Sequence, residues 1–139
     1  MLKEALKGVP INAVILGRLE YYHTSKQIKQ NTQMPDFLQN DLKLLLDNCD
    51  GVGISGPNEN SDSNLQVFSK TKKIVGIHAA ETLSSNSISK KLYKKTEAKR
   101  ALTAKPTFLV HMTNASKSDL LSASKKTRGI IVCPRANAS

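Results

Sequence analysis

The sequence lacks several features that would assign it to common classes of protein. It contains no tryptophan, and aromatic residues make up only 4% of its 139 residues, so surfaces for stacking single-stranded nucleic acid are scarce. No apolar run approaches the ~18 residues that span a bilayer, and the segment around Glu4 does not resemble a signal peptide. Cys49 and Cys133 are too few for a disulfide framework. We therefore expect a cytoplasmic protein that does not bind membranes.

Acidic residues are also scarce, and the chain is strongly basic. There are 11 Asp and Glu residues against 21 Lys and Arg residues, which gives a net charge of +10 at pH 7. Such an excess can indicate a polyanion-binding protein. The lysines are nevertheless spread over several segments, so we do not expect nucleic acid to be the partner. The alternative that remains open is a polyanion-binding domain that uses one basic helix, with Lys90, Lys91, Lys94, Lys95, Lys99 and Arg100.

Short β-branched runs alternate with helical patterns along the chain. Strands are predicted at residues 13–16, 52–55, 74–78, 107–112 and 129–133. Helices are predicted at residues 36–49, 65–72, 90–102 and 116–126, with loops at 23–34 and 57–63 and a serine-rich loop at 84–89. The helix at 36–49 has the clearest apolar stripe, with leucines at positions 38, 42, 45 and 46. This alternation predicts an α/β fold with parallel strands, buried on both faces.

One glycine-rich segment matches a known fingerprint by letter only. Residues 51–56 read G-x-G-x-x-G, the pattern of a dinucleotide-binding loop. That fingerprint must follow a strand and open a helix. Here the glycines lie within a predicted strand, and Pro57 and a polar loop follow. We therefore reject a dinucleotide site.

Two histidines end successive predicted strands. His78 is followed by Glu81 three residues later, and His111 ends the next strand. The carboxyl ends of parallel strands share one edge of a sheet, where α/β proteins place their chemistry. Adjacent strands lie about 4.8 Å apart, so both imidazoles can reach one ion. The pattern makes this edge a candidate metal or proton-transfer site. The alternative, that each imidazole is only a hydrogen-bonded structural residue, stays open on the pattern alone.

Side-chain alternation predicts which sheet face each strand residue occupies. If both histidines share a face, Gly76 and Leu109 lie on that face as well. The residues expected to face the helices are then Val75, Ile77, Phe108, Val110, Ile130 and Val132.

The chain resembles the amidohydrolase superfamily, in the deaminase and chlorohydrolase-like branch that includes relatives of imidazolonepropionase. The motifs that carry the resemblance are residues 13–18 (AVILGR), 50–55 (DGVGIS), 77–81 (IHAAE), 108–113 (FLVHMT) and 132–137 (VCPRAN). The family hydrolyses C–N or C–halogen bonds with a metal-activated water. The resemblance implies a nitrogen heterocycle or cyclic amidine as substrate.

The resemblance also implies a role for each candidate site residue. His78 would be a ligand of a divalent metal, with zinc the expected ion. Glu81 would carry protons between water and substrate, and His111 would hold the attacking water or the developing oxyanion. Asn137 would border the substrate pocket.

The family fold is a (β/α)8 barrel of the TIM type, which needs ~250 residues. The family metal site also uses a His-x-His pair on the first strand and an aspartate on the eighth, and this chain has no His-x-His pair. We therefore expect residues 1–139 to form a single partial barrel domain that covers about strands three to seven, inactive by itself. The alternatives are a stand-alone, non-enzymatic α/β module and half of a split barrel, completed by self-association or by a complementing segment.

Overall fold

The computed structural model describes residues 2–19 and 24–135. It contains the helix for which the sequence gives the clearest pattern. This helix begins at Asp36, directly after Pro35, and ends at Asn48. Leu38 and Leu42 are buried, as the apolar stripe predicts. Among the described residues, no helix is long and apolar enough to cross a membrane.

Helices and strands alternate along the rest of the described chain. The α-helices are α1 (Leu2–Ala5), α2 (Ser25–Lys29), α3 (Asp36–Asn48), α4 (Asp62–Phe68), α5 (Leu83–Tyr93), α6 (Glu97–Ala101) and α7 (Lys117–Ser124). The strands are β1 (Leu16–Gly17), β2 (Gly51–Ile54), β3 (Ile74–Ala79), β4 (Phe108–His111) and β5 (Gly129–Ile131). Two short 3-10 helices lie at Pro57–Glu59 and Leu102–Ala104.

The strands form one sheet whose spatial order equals their order in the sequence. Within the described residues the order is β1-β2-β3-β4-β5, and every neighbouring pair is parallel. The predicted α/β class, with parallel strands alternating with helices, is therefore confirmed. Strands β1 and β5 form the two edges of this sheet.

One face of the sheet carries the hydrophobic core. Val52, Val75 and Ile77 are at most 2% exposed, and Leu109 is fully buried beside Ile77. The α-helices contribute further buried apolar side chains to this core, which include Leu38, Leu42, Leu65, Phe68, Ala98, Ala101 and Ala123. The parallel register aligns side chains of neighbouring strands, so this face is a continuous apolar layer under the helices.

The opposite face of the sheet is much more open. The register places His78 beside Val110, and Val110 beside Ile131, which is 47% exposed. Leu16 covers part of this face, because Gly53 and Gly76 have no side chain there: a Cβ on Gly76 would lie 3.2 Å from Leu16 Cδ1. The strands are therefore buried fully on one face only.

The predicted faces are right for strand β3 and wrong for strand β4. Val75 and Ile77 face the helices as expected. Leu109, however, pairs with Ile77 and is buried under the helices, whereas Phe108 and Val110 pair with Gly76 and His78 on the open face. The error comes from counting back from His111, whose φ of 73° breaks the alternation of an extended strand.

The prediction around the serine-rich segment is also wrong. Residues 84–89 belong to helix α5, and the predicted helix at 90–102 is divided between α5 and α6. Thr82 caps α5 by accepting a hydrogen bond from the Ser85 N–H, and Thr96 caps α6 in the same way from Lys99. Lys94, with a φ of 56°, ends α5 between them. The two threonine caps and the left-handed residue set where helices α5 and α6 begin and end, and they override the weak preference of serine for loops.

The glycines of residues 51–56 have a structural purpose. Gly51 lies in strand β2, where a Cβ would collide with the Ile74 carbonyl oxygen of the neighbouring strand. The last glycine, Gly56, is followed by the 3-10 helix at Pro57–Glu59 instead of the α-helix that a dinucleotide site requires.

Arg100 is the largest fully buried side chain among the described residues, so it is not part of a basic surface. Its guanidinium donates to the carbonyl oxygens of Pro57 and Asn60, both at 2.8 Å, and to Asp62 Oδ1 at 2.9 Å. The ring of Tyr93 lies 3.6 Å from the guanidinium carbon. Arg100 therefore ties the loop after β2 to helix α6, and the polyanion-binding alternative loses one of its six cations.

Replacing Arg100 with methionine should destabilise the chain strongly. The change removes the guanidinium donors to the Pro57 and Asn60 carbonyl oxygens, of which Pro57 keeps a second donor, the Asn60 N–H. A buried acceptor left without its partner typically costs about 1–3 kcal/mol, and loss of the ion pair with the half-exposed Asp62 adds to this cost. Urea denaturation measures the free energy of unfolding. The control is Lys99→Met on the same helix, where an exposed change should stay within about 0.5 kcal/mol. Equal stabilities of the two variants would contradict this account.

Candidate metal site

The carboxyl ends of strands β3 and β4 bring two histidines and a glutamate together. His78 is the penultimate residue of β3, and His111 is the last residue of β4. His78 Nδ1 lies 3.2 Å from His111 Nε2, and Glu81 Oε1 lies 3.3 Å from that same His111 atom. One ligand atom from each residue falls within 4.8 Å of the other two. The structure thus brings together three of the four predicted site residues.

Backbone conformation explains how His111 reaches its partners. The register pairs His111 with Ala79, so an extended strand would direct its imidazole to the helix-covered face, away from His78. Positive φ angles at His111 (73°) and Met112 (58°) turn the chain at this point. The two imidazoles then meet edge to face, with ring centroids 4.9 Å apart. Non-glycine residues with positive φ are uncommon and concentrate at functional sites.

Glu81 is placed by a turn that contacts two other parts of the chain. Ala80, which precedes it, has a φ of 51° and is fully buried. The Ala80 N–H donates to Glu97 Oε2 at 2.8 Å, and Asn114 Nδ2 donates to the Glu81 carbonyl oxygen at 2.7 Å. Sequence reasoning missed Glu97 and Asn114. The available signals were a single carboxylate within the lysine-rich segment 90–102 and an amide three residues after a strand-ending histidine.

A cavity of about 260 Å³ opens beside His78. Its lining includes His78 and Glu81, together with Glu59, Glu97 and the amide of Asn58. Glu59 accepts a hydrogen bond from the Ser55 hydroxyl. The cavity is therefore rich in acceptors, which suits a small molecule that presents N–H donors.

The electrostatic surroundings keep His78 in its neutral form. Burial lowers the pKa of His78 below its ordinary 6.5, and the neighbouring His111 lowers it further, because two imidazolium ions would repel each other. The Glu81 carboxylate acts in the opposite direction. A neutral imidazole is the form that binds metals, so His78 is ready to act as a ligand at pH 7.

The donor set is one that fits a first-row divalent ion. Catalytic zinc sites use about three protein ligands, and two histidines with one glutamate is an established combination. His78, His111 and Glu81 offer that combination. Asn137, the fourth predicted site residue, lies outside the described residues. Cys133 follows the end of strand β5 and is half-buried.

Comparisons with known proteins give two curated relatives. A protein of Methanothermobacter thermautotrophicus with the name "Putative aminohydrolase" is 28% identical over 143 residues. The match covers all of this chain and 36% of that protein. An uncharacterized protein of Methanocaldococcus jannaschii is 32% identical over 112 residues, which cover 73% of this chain and 30% of that protein. The chain thus spans about a third of the length of these relatives.

Two further comparisons give no match. No protein-family model matches the chain, and no solved structure is significantly similar to it.

Titration should place the pKa of His78 below 6.5. Because the unfolded chain then binds this proton more tightly, the stabilising contribution is complete above pH 6.5 and is lost as the pH falls through the folded-state pKa. NMR of the imidazole protons in metal-free protein measures the pKa, and urea denaturation between pH 5 and 7 measures the consequence for stability. His78→Gln should flatten the stability profile over this range. A His78 pKa above 6.5 would contradict the assignment.

Proposed function

We propose that the chain is part of a metal-dependent hydrolase that acts on C–N bonds other than peptide bonds. The observation that carries the proposal is the convergence of His78, His111 and Glu81 at one edge of the sheet. Similarity to a protein named as an aminohydrolase supports the same reaction class. The resemblance to the deaminase-like amidohydrolases adds the metal dependence, with zinc as the expected ion.

Each of the three side chains has a task in this proposal. His78 holds the ion through a neutral imidazole nitrogen. A divalent ion in such a site supplies a water that is nucleophilic at neutral pH. Glu81 takes a proton from water and passes it to the leaving nitrogen, because a half-exposed carboxylate is accessible from the cavity. His111, whose Nε2 faces both partners, holds the water or stabilises the developing oxyanion.

The proposed substrate is a nitrogen heterocycle or a cyclic amidine. Such molecules present N–H groups, and the cavity beside His78 offers the carboxylates of Glu59 and Glu81 as acceptors. Its volume of about 260 Å³ suits a small ring system. The resemblance implies that Asn137 also borders the substrate pocket.

We further propose that residues 1–139 are a single partial barrel domain. Two observations support this. The strands follow one another across the sheet without a reversal of order, and the buried apolar side chains of the helices join a core on one face only. A doubly wound sheet would reverse its strand order and bury both faces under helices, whereas a barrel segment does neither. The relatives are about three times as long as the chain, which leaves room for the other strands.

If the chain is a partial barrel, its partners are the strands that would complete the sheet. Strands β1 and β5 are edges, and unpaired edges recruit other strands. The open face also exposes Leu16 (39%) and Ile131 (47%), which the interior of a closed barrel would cover. We propose that a complementing barrel segment, or a second copy of the chain in its absence, occupies this side.

Light scattering should show that the isolated chain associates as its concentration rises. Ile131→Lys should reduce this association, because it places a charge on the open face. The matched control is Leu121→Lys in helix α7, where the leucine is also exposed, at 55%, but lies away from the open face. Equal effects of the two changes, or a monomer at every concentration, would contradict the partial barrel.

Metal binding and turnover test the reaction itself. The isolated chain should bind Co²⁺ weakly in a spectroscopic titration, and His78→Ala should abolish binding. In the longer protein, ammonia release from a panel of amino-heterocycles and cyclic amidines should depend on added metal. Glu81→Gln should lower the rate about 10²–10⁴-fold, the usual loss for a general acid–base, with metal retained.

The same variants separate the two uses of Glu81. Retained metal with lost turnover identifies Glu81 as the proton carrier, whereas loss of metal makes it a third ligand. Full turnover of Glu81→Gln, together with undiminished metal affinity of His78→Ala, would overturn the proposed function.

A further inference from the structure

We propose that Glu97 is a positioning residue that sets the place of Glu81 against the two histidines. This inference rests on the proposed function, since it concerns the same group of side chains. Glu97 is the first residue of helix α6 and is 5% exposed. It lies 16 residues after Glu81 in the chain, and the sequence alone gives no reason to connect them.

The Glu97 carboxylate is anchored by three donors from three segments. It accepts hydrogen bonds from the Ala80 N–H at 2.8 Å and the Ser85 hydroxyl at 2.6 Å, both on Oε2. Asn58 Nδ2 donates to Oε1 at 3.2 Å. Hydrogen bonds to a charged group are the stronger ones, and a buried carboxylate is costly without them. Its position, and that of Ala80, are therefore tightly constrained.

The side-chain amides of the buried Asn86 and the half-buried Asn114 extend this anchor to the other side of the turn. The Glu97 N–H donates to Asn86 Oδ1 at 3.1 Å, and Asn86 Nδ2 donates to the Asn114 carbonyl oxygen at 3.1 Å. Asn114 then returns to the turn: its N–H donates to the Ala80 carbonyl oxygen at 2.8 Å, and its Nδ2 donates to the Glu81 carbonyl oxygen at 2.7 Å. The hydrogen bonds close a ring that begins and ends at residues 80 and 81.

The ring is needed because Glu81 has little support of its own. Its side chain is 42% exposed, and its Oε1 lies 3.3 Å from Nε2 of the buried His111, a contact that is an ion pair only when the imidazole is protonated. A single contact made by a half-exposed carboxylate contributes little to holding that side chain in place. The preceding Ala80, at a φ of 51°, is in a conformation that a loosened turn would leave. The backbone held by Glu97 thus determines where the Glu81 carboxylate lies.

The deciding experiment is a double-mutant cycle in metal-free protein, read by the ¹⁵N NMR signal of His111 Nε2 at fixed pH. In the parent chain, Glu81→Gln should shift this signal, because the carboxylate that faces it is removed. In a Glu97→Ala background the same change should shift it much less, since Glu81 has already left. Glu97→Gln retains an acceptor for the Ala80 N–H and should restore most of the shift.

Asp119→Asn is the matched control for a purely structural effect. Asp119 is a fully buried carboxylate that accepts from Thr96 and Ser116, and it supports helices α6 and α7 without contacting residues 79–81. The Asp119→Asn variant should have a lower free energy of unfolding in urea, and the coupling between Glu81 and His111 should stay intact in it. Where Glu97→Ala fails to fold, Glu97→Gln and Asn114→Ala carry the test.

The outcomes separate this inference from the proposed function. An undiminished shift in the Glu97→Ala background, or in the Asn114→Ala background when Glu97→Ala does not fold, overturns the positioning role. The positioning role is supported if Glu81→Gln no longer shifts the His111 signal in the Glu97→Ala background but still shifts it in the Asp119→Asn background. A Co²⁺ titration of the parent chain runs beside the cycle: failure to bind Co²⁺ overturns the metal site, while the NMR shifts still decide the role of Glu97.

Discussion

The register between strands β3 and β4 is the constraint on which the rest of the structure depends. It aligns Ile77 with Leu109 on the covered face, and these two side chains are fully buried in the core. It also aligns Ala79 with His111, so both strands end at the same level. A slip of one residue would exchange the two faces of a strand and expose Leu109. Burial of the core thus follows from this pairing. The candidate site needs, in addition, the positive φ angles of His111 and Met112, which turn the His111 imidazole toward His78.

Buried polar groups hold the loops that the sheet leaves free. Arg100 ties the loop after β2 to helix α6, and Glu97 in the same helix ties the turn after β3. Helix α6 has only five residues, yet both of these buried charged side chains belong to it. Charged groups are rarely buried unless they are paired or hydrogen-bonded. Both side chains meet this condition by bonding to loop groups, and these hydrogen bonds fix the loop conformations. The candidate site lies beside the turn held by Glu97.

The open face of the sheet accounts for several features that are unusual in a separate domain. Exposed apolar side chains on that face, two edge strands and a three-residue donor set all have a simple explanation if further strands complete a barrel. The strongly basic surface then belongs to the outside of a larger protein, where single exposed lysines are ordinary. The lysine-rich segment does not act as one unit, because Lys94 separates two helices and Arg100 is internal.

The sequence by itself determined the α/β class, helix α3 and the placement of His78 and His111 at strand ends, because hydrophobic periodicity and strand order are local properties. It could not predict the faces of β4 or the division of residues 83–101 into two helices, since left-handed residues and threonine caps override the periodic pattern there. Only the tertiary structure decided that Glu97 and Asn114 meet at the Glu81 turn. Hydrogen bonds between segments distant in sequence form only after packing has brought them together, so no local pattern records them.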